Sequence, residues 1–188
     1  MKKLNLVLLP CLFAGGLIAQ SNELELLILD KMETYHIPGL AVAIVTPNGI
    51  CYEGYFGMAN IEEDRPVDTS TIFMLASVSK TITSTAVLKL HQEGYFELDD
   101  DINSHLPFEV HIPDYPETPI TFRQLLTHTS SIRDNWDLMP YCEGDCTESL
   151  YTFLYNYLNP DGDKYDPNNN FSSDPPGTAF TSCNIGFA

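Results

Sequence analysis

Phe73 to Gly94 reads FMLASVSKTITSTAVLKLHQEG, and the fold and chemistry of the chain both turn on it. Val78, Ile82, Ala86, Val87 and Leu90 recur at steps of three and four, which predicts an amphipathic helix, with Gly94 as its C-terminal stop. Ser77-Val78-Ser79-Lys80 stands at the helix start. Residues i and i+3 share a helix face, so Ser77 and Lys80 are expected side by side. A serine hydroxyl needs a neighbour to take its proton before it attacks, and a lysine one turn away supplies one. The helix N-terminus adds partial positive charge and backbone N–H donors. Taken alone, the tetrapeptide fits a plainer reading better: Ser77 as a helix cap and Lys80 as a solvated charge. The flanking sequence decides between them.

The chain has 188 residues, enough for one domain with a real core, and its composition is 44% hydrophobic and 19% charged without a low-complexity tract. Nine basic against 26 acidic side chains give a net charge of −17. That balance argues against nucleic-acid partners and against adhesion to anionic lipid. Met1 to Ala19 is expected to be a secretory signal peptide, with Lys2 and Lys3 as its basic start, Leu4 to Ile18 as its apolar stretch, and cleavage after Ala19. Pro10 and Gly15-Gly16 interrupt the stretch, which is short for a transmembrane span, so no stable membrane insertion is expected. Cys11 follows Pro10, a poor match to a lipid-attachment site. Export places the remaining cysteines in an oxidising compartment, secreted or periplasmic. Cys142 and Cys146 flank Glu143-Gly144-Asp145 and either close a small disulfide loop or stay as two thiols; Cys51 and Cys183 have no evident partner. No Cys/His spacing matches a zinc site, and neither metal nor cofactor is expected.

Along the mature chain, residues 20–188, Asn22 to Tyr35 has helical spacing that ends at His36-Ile37-Pro38-Gly39. Leu40 to Thr46 and Ile50 to Phe56 read as two strands joined at Pro47-Asn48-Gly49, a hairpin, with Gly57 to Ser70 as loop. Asp99-Asp100-Asp101 invites a metal, but a solvated turn that caps the next short helix is the better reading. Thr121 to His128 predicts a short capped helix; His128 fits a buried, hydrogen-bonded role at its end better than a partnership with Ser77. Leu150 to Leu158 is an aromatic helix for the core, and Asn159 to Asp174 a polar loop.

Several stretches together resemble the N-terminal part of the serine β-lactamase-related superfamily, which includes class C β-lactamases, penicillin-binding carboxypeptidases, D-aminopeptidases and related esterases. They are Ile37-Pro38-Gly39 with the hairpin, Gly57 to Glu62 before Thr71-Ile72-Phe73, Ser77 to Thr81, Gly94 to Ile102, Ile120 to Ser131, and Pro176-Gly177-Thr178 to Gly186. Their order is what a chance tetrapeptide lacks. The resemblance implies an α+β, β-lactamase/transpeptidase-like fold, an antiparallel sheet flanked by helices plus a mostly helical region. It makes Ser77 the nucleophile of an acyl-enzyme and Lys80 its activating partner. The family's Tyr-x-Asn motif maps onto Ser182-Cys183-Asn184, so Ser182 replaces a phenol, Asn184 keeps an amide for Lys80 or the substrate, and Cys183 points away. Ser131 stands where the family usually has glycine.

The family's Lys-Thr-Gly or His-x-Gly strand is absent, so the chain reads as truncated at its C-terminus, and this stretch alone is expected to be inactive. The function implied is an exported serine hydrolase acting on a small-molecule or peptide substrate, an amide or ester such as a β-lactam or a D-amino-acid peptide. The alternative is a non-catalytic envelope protein that binds peptidoglycan stem peptides or other peptides. A secreted structural domain without a ligand is a third reading.

Overall fold

The computed structural model describes residues 14–188, so most of the expected leader, Met1–Ala19, lies outside the described residues. The chain forms two compact units, one ending at Met74 and the other running from Leu75 to Ala188.

The first unit carries a helix and a sheet. Helix α1 (Ala14–Tyr35) starts earlier than the expected Asn22 and ends where expected. His36 takes a left-handed φ of 53°, and the Ile37 N–H donates back to the Met32 carbonyl at 2.9 Å, closing the last turn before Pro38 bars a further one. Strand β1 (Gly39–Thr46) then pairs antiparallel with β2 (Gly49–Asn60), from Gly39 opposite Gly57 to Thr46 opposite Gly49, with a shift of register between Ile44 and Val45. The hairpin is as expected, but β2 runs past Phe56. Its far end pairs with a short β3 (Arg65–Pro66), Met58 opposite Pro66 and Asn60 opposite Arg65, so part of the expected loop is sheet. Gly57 holds φ +69°, and a Cβ there would lie 2.2 Å from the Pro38 carbonyl oxygen. Only glycine permits that approach.

The second unit begins with a 3-10 turn, Ala76–Val78, that runs into α2 (Ser79–Gln92). Ser77 therefore sits on the lead-in turn rather than inside the α-helix, a correction to the expected helix start. Gly94 supplies the stop as expected, with φ +81° and the Tyr95 N–H donating to the Leu90 carbonyl at 3.2 Å. The apolar stripe of α2 is less covered than its periodicity suggests. Ile82 and Leu90 are exposed, and none of its residues is fully buried.

Beyond α2 the connector is pinned residue by residue. Phe96 stacks on Phe122 with ring centroids 4.0 Å apart, and Asp99 forms a two-toothed pair with Arg123 at 2.7 and 2.9 Å. Asp101 caps the 3-10 turn Ile102–Ser104 by accepting from the Asn103 N–H, the role expected of the aspartate run. Helix α3 (Phe122–Leu126) opens with a capping box between Thr121 and Gln124. Helix α4 (Leu150–Leu158) is capped by Ser149 and turns Phe153, Tyr157 and Leu158 inward, as its aromatic spacing predicts. These three pack with Ile102, Val110, Ile112, Ile120, Ile132, Phe171, Cys183 and Ile185 into one apolar core. Cys142 and Cys146 are joined in a disulfide, which closes the alternative left open by the sequence. Among the described residues no helix is long and apolar enough to cross a membrane, and no group of His, Cys, Asp and Glu could hold a metal ion.

Candidate active site

Ala76 takes a left-handed φ of +44°, and the chain turns there to present Ser77 on the 3-10 lead-in. Lys80 follows on the first turn of α2, half-buried, while Ser77 is exposed. The Lys80 ammonium donates to Ser77 Oγ at 3.4 Å and to Asn184 Oδ1 at 2.5 Å. The first bond is long and weak; the second is short and assisted by charge. A nucleophile candidate, a base candidate and an amide acceptor 104 positions away in sequence are thereby drawn to one point.

The Ser182–Asn184 segment has little regular structure of its own and is held from outside. The Thr181 N–H donates to the His128 carbonyl at 2.8 Å, and the Cys183 N–H donates to His128 Nδ1 at 3.1 Å. His128 thus takes the hydrogen-bonded role expected of it, though half-buried rather than buried, and acts on this segment through its ring and its carbonyl. The Asp134 carboxylate does more. It accepts from the Asn184 N–H at 2.7 Å, from Asn184 Nδ2 at 2.7 Å and from the Ile185 N–H at 3.1 Å. Cys183 points into the core as expected, where burial pushes its thiol up to about 12; it accepts from the Gly186 N–H at 3.3 Å. A buried neutral thiol of this kind is not a nucleophile at physiological pH.

Ser77, Ser182 and Asn184 line one cavity of about 500 Å³ together with Arg133, Asp134, Trp136 and Thr181. Ser182 is exposed to it and makes no side-chain hydrogen bond among the described residues, so it shares the cavity without joining the Ser77–Lys80–Asn184 chain. Sequence reasoning missed Arg133, Asp134 and Trp136. Asp134 lies three residues past Ser131, just beyond the segment that carried the resemblance, and nothing in its own spacing tied it to Asn184. Tyr157 holds that loop in place. Its hydroxyl accepts from the Asn135 N–H at 2.6 Å and donates to the Arg133 carbonyl at 2.8 Å.

A serine and lysine around the start of one helix, facing an asparagine from an irregular segment, in a chain that also carries an antiparallel sheet, define a protein of the serine β-lactamase-related kind. The chain belongs to the Beta-lactamase family, whose model matches residues 24–188. It is 36% identical over 149 residues to the beta-lactamase-like protein str5 of Strobilurus tenacellus, an alignment covering 65% of this chain and 54% of the relative. A class C beta-lactamase structure shares the fold with a TM-score of 0.63 and 23% identity, over 90% of this chain and 42% of that one. EstCE1, described as a hydrolase with promiscuous acyltransferase activity, aligns with a TM-score of 0.50 and 28% identity, over 68% of this chain and 32% of that one. The chain thus spans about half the length of the first relative and less of the two solved structures.

Proposed function

We propose that the protein is an exported serine hydrolase that cleaves amide or ester bonds through an acyl intermediate on Ser77. The observation that carries this reading is the double donation of Lys80, to Ser77 Oγ and to Asn184 Oδ1, beside the cavity of about 500 Å³. In the amine form, Lys80 takes the hydroxyl proton as Ser77 Oγ bonds to the substrate carbonyl carbon. Lys80 passes the proton on to the leaving amine or alcohol as its bond to that carbon breaks, while Ser182 lines the same cavity without bonding Lys80. Water then attacks the acyl carbon and frees Ser77. Asn184 holds Lys80 in position between steps. Membership of the Beta-lactamase family supports hydrolysis through a serine in general, and the description of EstCE1 supports acyl transfer as the chemistry. Export rests on the leader-like Met1–Ala19 stretch.

In the full-length protein, a fluorophosphonate or β-lactam should add covalently to Ser77, and Ser77→Ala should abolish the adduct seen by intact mass. Labelling that persists in Ser77→Ala refutes the assignment. One observation favours a second reading. Ser182, in the family's tyrosine position, bonds neither Lys80 nor Ser77, as fits a protein that only binds peptides. Such a protein would bind peptidoglycan stem peptides reversibly and form no adduct.

A further inference from the structure

We propose that Asp134 is a positioning residue that fixes which end of the Asn184 amide meets Lys80. The inference rests on the reading of Ser77 and Lys80 as the reacting pair. An ionised carboxylate only accepts hydrogen bonds, and an ammonium only donates them; a primary amide does both, at opposite ends. Asp134 Oδ2 sits 2.7 Å from Asn184 Nδ2, and Lys80 Nζ sits 2.5 Å from Asn184 Oδ1. Turning the amide over would set NH2 against ammonium and oxygen against carboxylate, losing both bonds at once. The arrangement is therefore polar in one direction only, from Lys80 through Asn184 to Asp134.

The second carboxylate oxygen makes the arrangement rigid. Asp134 Oδ1 accepts the backbone N–H groups of Asn184 and Ile185, so the same side chain that orients the amide also anchors the segment bearing it. Tyr157 pins the residues on both sides of Asp134 by its bonds to the Arg133 carbonyl and the Asn135 N–H. A buried phenol on α4 thus supports a carboxylate, which supports an amide, which supports the lysine beside Ser77. Groups one step removed from a reacting centre commonly act in this way, by fixing the orientation of those that touch it.

The test is a polarity exchange in the full-length protein. Asp134→Asn keeps a carbonyl oxygen for the two backbone donors but puts an NH2 where Oδ2 accepted. The Asn184 amide must then turn, and Lys80 meets a donor. Acylation of Ser77 by a fluorophosphonate should slow about thirty-fold, because the ammonium that forms as Lys80 takes the Ser77 proton loses its charge-assisted hydrogen bond. Adding Asn184→Asp restores the donor–acceptor order and should recover most of that loss, whereas a role confined to holding the loop predicts that the second change adds to the damage. Acylation of Asp134→Asn within about twofold of the wild type, or a double variant slower than Asp134→Asn, overturns the proposal. If the wild type takes no label, the reading of Ser77 fails separately, and NMR decides the positioning claim. The Asn184 side-chain NH2 protons should move upfield in Asp134→Asn as the carboxylate partner is lost; unmoved resonances overturn it.

Discussion

Ser131 shows what a single residue can be made to do. It holds φ +65°, a conformation that favours glycine, and its Oγ donates to the Asp174 carbonyl at 2.7 Å. The hydrogen bond offsets part of the cost of the left-handed backbone, which is about 1–2 kcal/mol for a residue with a Cβ. Ser131→Val should therefore lose at least about 2 kcal/mol of stability, because a branched side chain fits this region worst and the Asp174 carbonyl is left unpaired. Ser131→Gly should stay within about 1 kcal/mol of the wild type, strain relief offsetting the lost bond. Thermal or urea unfolding of the pair decides it; a valine variant as stable as the wild type would sink the argument. The residue types at the candidate site were legible in the sequence because Ser77-x-x-Lys80 has a local spacing with a chemical meaning. Asp134 was not. Its partners lie about fifty residues away, and no local pattern encodes a bond across that separation.

Helix α4 illustrates the scale of the element. Its apolar spacing predicted a core helix, and Phe153, Tyr157 and Leu158 are buried as that spacing requires. The spacing did not reveal that one of these rings also ties down a loop. Burial pushes the Tyr157 phenol from 10.0 up to about 12. The unfolded chain releases that proton from about pH 10, while the folded chain keeps it to about pH 12, so stability falls as pH rises through this window. The Cys183 thiol, raised from 9.0 to about 12, acts with the same sign. Tyr157→Phe should flatten the alkaline fall in urea midpoint, and at neutral pH it should cost about 1–3 kcal/mol because the Asn135 N–H and the Arg133 carbonyl lose their partner. An alkaline slope unchanged in Tyr157→Phe would refute the link. At the same scale, α2 shows where periodicity misleads. Its stripe reads as a buried face, yet Ile82 and Leu90 are exposed, because a repeat of three and four residues records which side is apolar and not what lies against it.

For the molecule as a whole the dominant quantity is the net charge of −17. Such an excess strains a folded chain by self-repulsion, and among the described residues the ion pairs set against it are mostly exposed, as with Asp99 and Arg123. Raising ionic strength from about 0.01 M to about 0.15 M shortens the Debye length from roughly 30 Å to roughly 8 Å. The midpoint of thermal unfolding should rise with that change; a fall would mean that the exposed pairs contribute more than the repulsion costs. The sequence by itself determined the family, the hairpin, the existence and order of the helices though not where the first two begin, and the Ser77–Lys80 pair. All of these depend on spacings within a few residues or on the order of motifs along the chain. Only the tertiary structure decided that Lys80 reaches Asn184 and that Asp134 holds that asparagine. Those outcomes depend on which groups the packed core brings together across fifty to a hundred residues. Hydrogen bonds at 2.5–3.5 Å are settled by that packing rather than by any local pattern.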